Sequence, residues 1–254
     1  MLTGSRRCLA LLLLLPGFAR AEAEAPRFRV LALAEHASIH KPFVDAAKVW
    51  LAKLAGEEHF AVDYLEDTRR IDRAFLRRYA LFLQLDYPPY RWTPHAQAAF
   101  IRYIEEGRGG WIGFHHATLL GEFDGFPMWP WFHRFMGGIR FKDYIATFAT
   151  GQVNVEDPDH PVLRGVRSPF VIENEEWYTY DASPRANVHV LASVDEASYR
   201  PQTPIRMGDH PVIWSNPRVK ARNVYIFMGH HAELFENETF TRIFRNAVFW
   251  AAGR

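Results

Sequence analysis

The chain has 254 residues, enough to bury the core of one large domain, and 48% of them are hydrophobic. Its formal net charge of +1 supplies no basic field for nucleic acid, and no polybasic run marks a membrane surface. The only cysteine, Cys8, lies in a segment expected to be removed, which excludes disulfides, thiolate metal ligands and a cysteine nucleophile from the mature protein.

That segment is the N-terminus. Arg6 and Arg7 precede an apolar run from Cys8 to Leu15, followed by Pro16, Gly17 and Ala19-Arg20-Ala21. Basic, apolar, then A-x-A is the order of a secretory signal, which predicts cleavage after Ala21 and one domain over residues 22–254. A membrane-spanning helix needs roughly 20 apolar residues, about twice this run. The expected location is a bacterial periplasm, with no membrane attachment after cleavage. N-terminal sequencing of exported protein should begin at Glu22, whereas a retained Met1 in a membrane fraction would contradict the reading.

From Phe28 the chain alternates. Phe28 to Ala34 (FRVLALA) is a short apolar run and reads as a buried strand. Phe43 to Leu54 places Phe43, Ala46, Ala47, Trp50, Leu51 and Leu54 on one helical face. Phe60 to Leu65 is a second strand, Ile71 to Tyr79 a short helix, and Ala80 to Leu85 a third strand ending at Asp86. The next helix begins with Thr93 as cap and Pro94 in the first turn, buries Ala96, Ala99, Phe100, Tyr103 and Ile104, and stops at Gly107. Trp111 to Phe114 is a fourth strand. Strand–helix alternation with short connections implies parallel strands, right-handed crossovers and helices on both faces.

Between Gly121 and Arg218 the rhythm breaks. The segment carries Pro and Gly, an aromatic run from Phe126 to Phe132, and strand-like runs over Tyr144–Val155, Phe170–Tyr180 and Val188–Val194. These predict an elaboration that extends the sheet with antiparallel strands. The alternation resumes with a strand from Asn223 to Met228. Asn237-Glu238-Thr239 then starts a last helix that buries Phe240, Ile243, Phe244, Ala247, Val248 and Ala251.

In an open parallel sheet, ligands sit beyond the carboxyl ends of the strands. The first strand ends at Glu35-His36, with His40 close behind; the third ends at Asp86. The fourth ends at His115-His116, and the strand near the C-terminus at His230-His231. One such histidine is ordinarily structural, but convergence of several strand ends on histidine and carboxylate points to a site. Gly113-Phe114-His115-His116-Ala117 has the layout of a strand-to-helix elbow with histidine in the exposed central position. Histidine there serves as a base, an acid or a metal ligand. Strand alternation over Glu173 to Trp177 puts Glu173 and Glu175 on one face and Glu176 on the other, and Glu176 is chosen as the inward residue. Neither an H-E-x-x-H nor an EF-hand spacing is present.

The run Gly109-Gly110-Trp111-Ile112-Gly113-Phe114-His115-His116-Ala117-Thr118 resembles the signature of the ThuA-like (trehalose utilisation) family. Trp129-Pro130-Trp131, Met136-Gly137-Gly138, His160-Pro161-Val162, Glu175-Glu176-Trp177-Tyr178, His210-Pro211-Val212 and Gly229-His230-His231-Ala232-Glu233 resemble further motifs of it in the same order. The resemblance implies a flavodoxin-like fold, related to class I glutamine amidotransferases, with His115 where the amidotransferase cysteine would stand. It also implies an association with disaccharide and keto-sugar metabolism.

The reading is an exported enzyme acting on a disaccharide, glycoside or keto-glycoside by His/Glu acid–base or metal-assisted chemistry. His115, Glu176 and His230 are the catalytic candidates; His36, Asp86, His116, Trp129, Trp177 and His231 are the substrate-binding candidates. The alternative is a sugar-binding protein that uses the same pocket with Trp129 and Trp177 as stacking platforms. The expected partner is a small carbohydrate and not nucleic acid; a divalent metal and a homo-oligomer are left open.

Overall fold

A computed structural model describes residues 25–36, 39–123 and 125–254; the expected signal segment therefore lies outside the described residues. In chain order the elements are β1 (Arg29–Ala34), α1 (Lys41–Glu58), β2 (Ala61–Leu65), α2 (Arg73–Leu76), β3 (Leu81–Leu85), α3 (Pro94–Glu105) and β4 (Gly110–Phe114). There follow α4 (Pro130–Phe135), β5 (Phe141–Tyr144), β6 (Ala149–Val155), β7 (Phe170–Glu175), β8 (Tyr178–Tyr180), β9 (His189–Arg200), β10 (Pro211–Ser215), β11 (Asn223–Ile226) and α5 (Glu238–Ala251). No helix among them is long and apolar enough to cross a membrane.

Nine strands form one sheet in the order β2-β1-β3-β4-β11-β10-β9-β6-β7, with β5 and β8 paired separately. The half from β2 to β11 is parallel throughout. From β11 onward each neighbour is antiparallel, which is the extension expected of the irregular middle of the chain. The strand order reverses at β1, flanked by β2 and β3, so the carboxyl ends of β1 and β3 open a crevice for a ligand.

Residue alternation along β4 shows how the two helical layers are held. Phe114 packs against Phe43 of α1 and Phe244 of α5, while Trp111 faces Phe132 and Phe135 of α4 on the other side. Phe82, paired with Trp111 across β3 and β4, meets Phe100 of α3 on that same side. α3 buries Ala96, Ala99, Phe100, Tyr103 and Ile104, and the Thr93 hydroxyl accepts a hydrogen bond from the Ala96 N–H. α5 buries the six residues named from its periodicity, and Asn237 caps it.

Two expectations are corrected. The short helix over Ile71 to Tyr79 is one turn, Arg73–Leu76, with Asp72 as its cap. Trp129 does not project towards a ligand: it is 6% exposed and packs on Trp92, Phe100 and Phe132 beside α4, as core.

Candidate functional site

β4 leads directly into a 3-10 turn, His115–Thr118, and His115 adopts φ +36°. Gly113, within β4, makes room for the Trp111 ring, which a Cβ there would meet at 2.1 Å. The turn itself requires Gly229 opposite, where a Cβ would come within 2.6 Å of the His115 Cβ. The small residues of both strand ends thus let β4 and β11 present His115 and His230 to the same space. Glu176 arrives from the connection between β7 and β8, and His40 from the residue just before α1.

These four side chains form one buried cluster. His230 Nδ1 lies 3.2 Å and His115 Nε2 3.3 Å from Glu176 Oε2. His40 Nε2 is 2.8 Å from His230 Nδ1 and 3.9 Å from the same carboxylate oxygen. A second group adjoins it: His116 Nδ1 is 2.9 Å from Glu35 Oε2, and Arg91 donates to Glu35 Oε1 at 3.1 Å. The His116 ring packs edge-on against His40, 4.0 Å between centroids.

Burial dominates the electrostatics. Desolvation, reinforced by His115, His116 and His230, pushes His40 far below the usual histidine range. His115 is lowered by desolvation to about 4 despite the opposing pull of Glu176. Desolvation raises Glu176, but the close approach of the His115 and His230 ring nitrogens outweighs it and brings its pKa to about 2. Below the cluster, Asp86 is pushed well above the carboxylate range by burial and by Glu35 and Glu175, and Glu175 is raised by burial to about 8. At neutral pH the centre therefore holds uncharged His40 and His115 beside an ionised Glu176, over two carboxyl groups that keep their protons.

Hydrogen-bond chemistry adds a constraint. His115 Nδ1 lies 3.2 Å from the Phe227 carbonyl, which can only accept, so Nδ1 carries the proton. The neutral ring then presents an unprotonated Nε2 to the Glu176 carboxylate. Two lone pairs facing each other at 3.3 Å need a proton or a cation between them. Four of the six spacings among these donor atoms are 2.8–3.9 Å and all lie within 4.8 Å, a range that spans the roughly 3.4 Å edge of a tetrahedron with bonds near 2.0–2.2 Å. Three imidazoles and a carboxylate suit zinc and its first-row neighbours better than the oxygen-seeking calcium or magnesium.

The structure thus brings His115, Glu176 and His230 together, with His116 alongside. It separates others. His36 points outward, its side chain 65% exposed, and pairs with Glu66 at 2.9 Å. Trp177 is fully buried, stacks on Phe227 and donates to the Ala149 carbonyl, so it offers no face to a sugar. Asp86 is fully buried at φ +54° and lies beneath the cluster, out of reach of a ligand. His231 is half-buried at the rim beside Phe148.

Glu175 and Glu176 are not on opposite faces as alternation required. Asn174 takes φ +50°, the strand ends at Glu175, and both carboxylates turn inward. Glu175 accepts the backbone N–H groups of Glu176 and Gly229, so it clamps the backbone at two of the cluster's arms. His40, Glu35 and Glu175 are the members to which the sequence alone gives no role. For His40 the signal lay in its place, one residue ahead of a Pro-started helix at the strand-order reversal.

Known structures share this arrangement of elements. A ThuA-like protein from Bacteroides uniformis is 32% identical, with a TM-score of 0.79, over 92% of this chain and 95% of that one. A ThuA-like protein from Parabacteroides merdae is 17% identical, with a TM-score of 0.63, over 89% of this chain and 90% of the other. A GMP synthase-like protein from Thermoplasma acidophilum shares the fold at 11% identity and a TM-score of 0.56, covering 89% and 94% of the two chains. The last similarity is one of fold, the mostly parallel α/β sheet with helices on both faces. No curated protein matches the sequence significantly. Residues 29–251 match the family model for ThuA, described as trehalose utilisation, and the chain belongs to that carbohydrate-linked family.

Proposed function

We propose that the protein is an exported, metal-dependent enzyme acting on a disaccharide, glycoside or keto-glycoside. The observation that carries the reading is the convergence of His40, His115, His230 and Glu176 on one point, with a His115–Glu176 contact that a cation would satisfy. A divalent ion held there would polarise a carbonyl or hydroxyl oxygen of a sugar entering as a further ligand.

The chain's own residues supply the rest. The Phe227 carbonyl fixes the His115 tautomer and aims Nε2 at the centre. Glu35 lies 2.9 Å from His116 Nδ1 and is itself held by Arg91, which orients the His116 ring and turns its Nε2 away from Glu35. His116 is 13% exposed, the least enclosed imidazole of the two groups, and is the residue placed to take a proton from a bound sugar and return it. Export would bring the enzyme to glycosides met outside the cytoplasm.

The test is turnover of a panel of disaccharides and their oxidised keto-glycosides, before and after chelation. Activity on at least one sugar, lost on chelation and restored by a divalent ion, is expected. Turnover indifferent to chelator would contradict the metal dependence. Sugar binding without turnover would leave a binding protein instead.

A further inference from the structure

A cavity of about 630 Å³ lies beside the ligand cluster, and the metal centre gives it no role. Its walls include Phe148, Glu173, Asn174, His231, Glu233 and Glu236. Phe148 separates it from the cluster: its ring centroid is 4.6 Å from that of His230 and 4.7 Å from that of His231. A pocket of this size suits a small ligand of more than one ring.

Two features mark the cavity as built. Phe148 takes φ +46° and Asn174 φ +50°, so two non-glycine residues on its wall are held in the left-handed region. Such backbone is costly, above all for a bulky aromatic, and gathers at functional sites. His231 hydrogen-bonds to the Asn174 backbone, and its Nε2 has no hydrogen-bond partner among the described residues. Asn237, by contrast, spends its side chain on capping α5 and on the Val171 carbonyl, and acts as wall.

The remaining groups read as a sugar subsite. Exposed carboxylates of Glu173, Glu233 and Glu236 accept hydroxyl hydrogen bonds, and a half-buried Phe148 ring offers an apolar face to pyranose C–H groups. Three carboxylates in one concave wall also repel an anion. We propose that this cavity holds the second ring of a glycoside whose first ring lies at the histidine–carboxylate centre, and that it admits neutral or amino sugars and rejects uronates and sugar phosphates. The inference rests on the carbohydrate reading above and adds the location and charge selectivity of the second ring.

Calorimetric titration of the metal-loaded full chain tests it, with trehalose, cellobiose and maltose as probes, glucose as single-ring comparator and cellobiouronic acid as anionic comparator. At least one disaccharide should bind about tenfold or more tighter than glucose, and the acid should bind worse than its neutral parent. Phe148→Ala and Glu233→Gln should each erase most of the two-ring preference while metal content and glucose affinity stay unchanged. Sugars that bind with a preference untouched by either variant, or with none for two rings, would overturn the subsite and leave the carbohydrate reading standing. Loss of metal in Phe148→Ala alone would shift the decision to Glu233→Gln, which touches no ligand. Failure of every sugar to bind a metal-loaded protein would overturn both.

Discussion

Glu176→Gln should lower divalent-ion affinity by about 100-fold or more and abolish turnover, with the fold retained. Losing a partner outside the ligand shell of a metal typically costs 10–100-fold, and Glu176 is the anion to which three imidazoles converge. The amide keeps the volume and removes the charge, so the effect separates electrostatics from packing. Its NH₂ group can donate to the unprotonated His115 Nε2 that the carboxylate faces. The metal-free variant should therefore be no less stable than the metal-free parent by denaturant unfolding. Unchanged metal affinity in Glu176→Gln would remove Glu176 from the ligand set. A collapse in stability would make its role structural.

The second large effect is a stability optimum in mildly acidic solution for the metal-free protein. Glu175 and Asp86 have raised folded pKa values, so the native state keeps protons that the unfolded chain releases above about pH 4. Their contribution is present below that pH and is lost as pH rises towards about 8, the value for Glu175. Each such group costs about 1.4 kcal/mol per pH unit across its window. His115 acts in the other direction. Its folded pKa is lowered to about 4, so stability is full above about 6.5 and falls as pH drops through 4, where Glu176 adds to the loss. Between roughly pH 4.5 and 6.5 the slopes oppose, and between 6.5 and 8 only the buried acids act. Urea unfolding across pH 6.5–8 should show falling stability, and Glu175→Gln should flatten that slope by about one proton. A parent protein whose stability is flat or rising there would contradict a protonated Glu175.

Much of this architecture was legible because local signals agreed. α3 carries its cap, its Pro and its buried stripe within one segment, and α5 buries the six positions its period of 3.6 picks out. His115 and His230 were legible because they follow short apolar runs that the strand–helix alternation reads as buried parallel strands. What failed depended on contacts that no period encodes. In the loop after β1, His36 and His40 look alike in sequence, yet one meets Glu66 in solvent and the other is buried among imidazoles. Alternation misassigned Glu175 because the turn at Asn174 abolishes the two-residue repeat just where the carboxylates occur. Trp129 and Trp177 have the chemistry of a sugar platform and of a core alike. Packing against Phe132 and Phe227 decides for core.

The most direct test of the metal centre is a crystal grown with a divalent ion and measured at that ion's absorption edge. One strong anomalous peak is expected, bounded by His40 Nε2, His115 Nε2, His230 Nδ1 and Glu176, at about 2.0–2.2 Å from each donor. An anomalous map with no peak among those four side chains, in protein saturated with zinc or manganese, would contradict it.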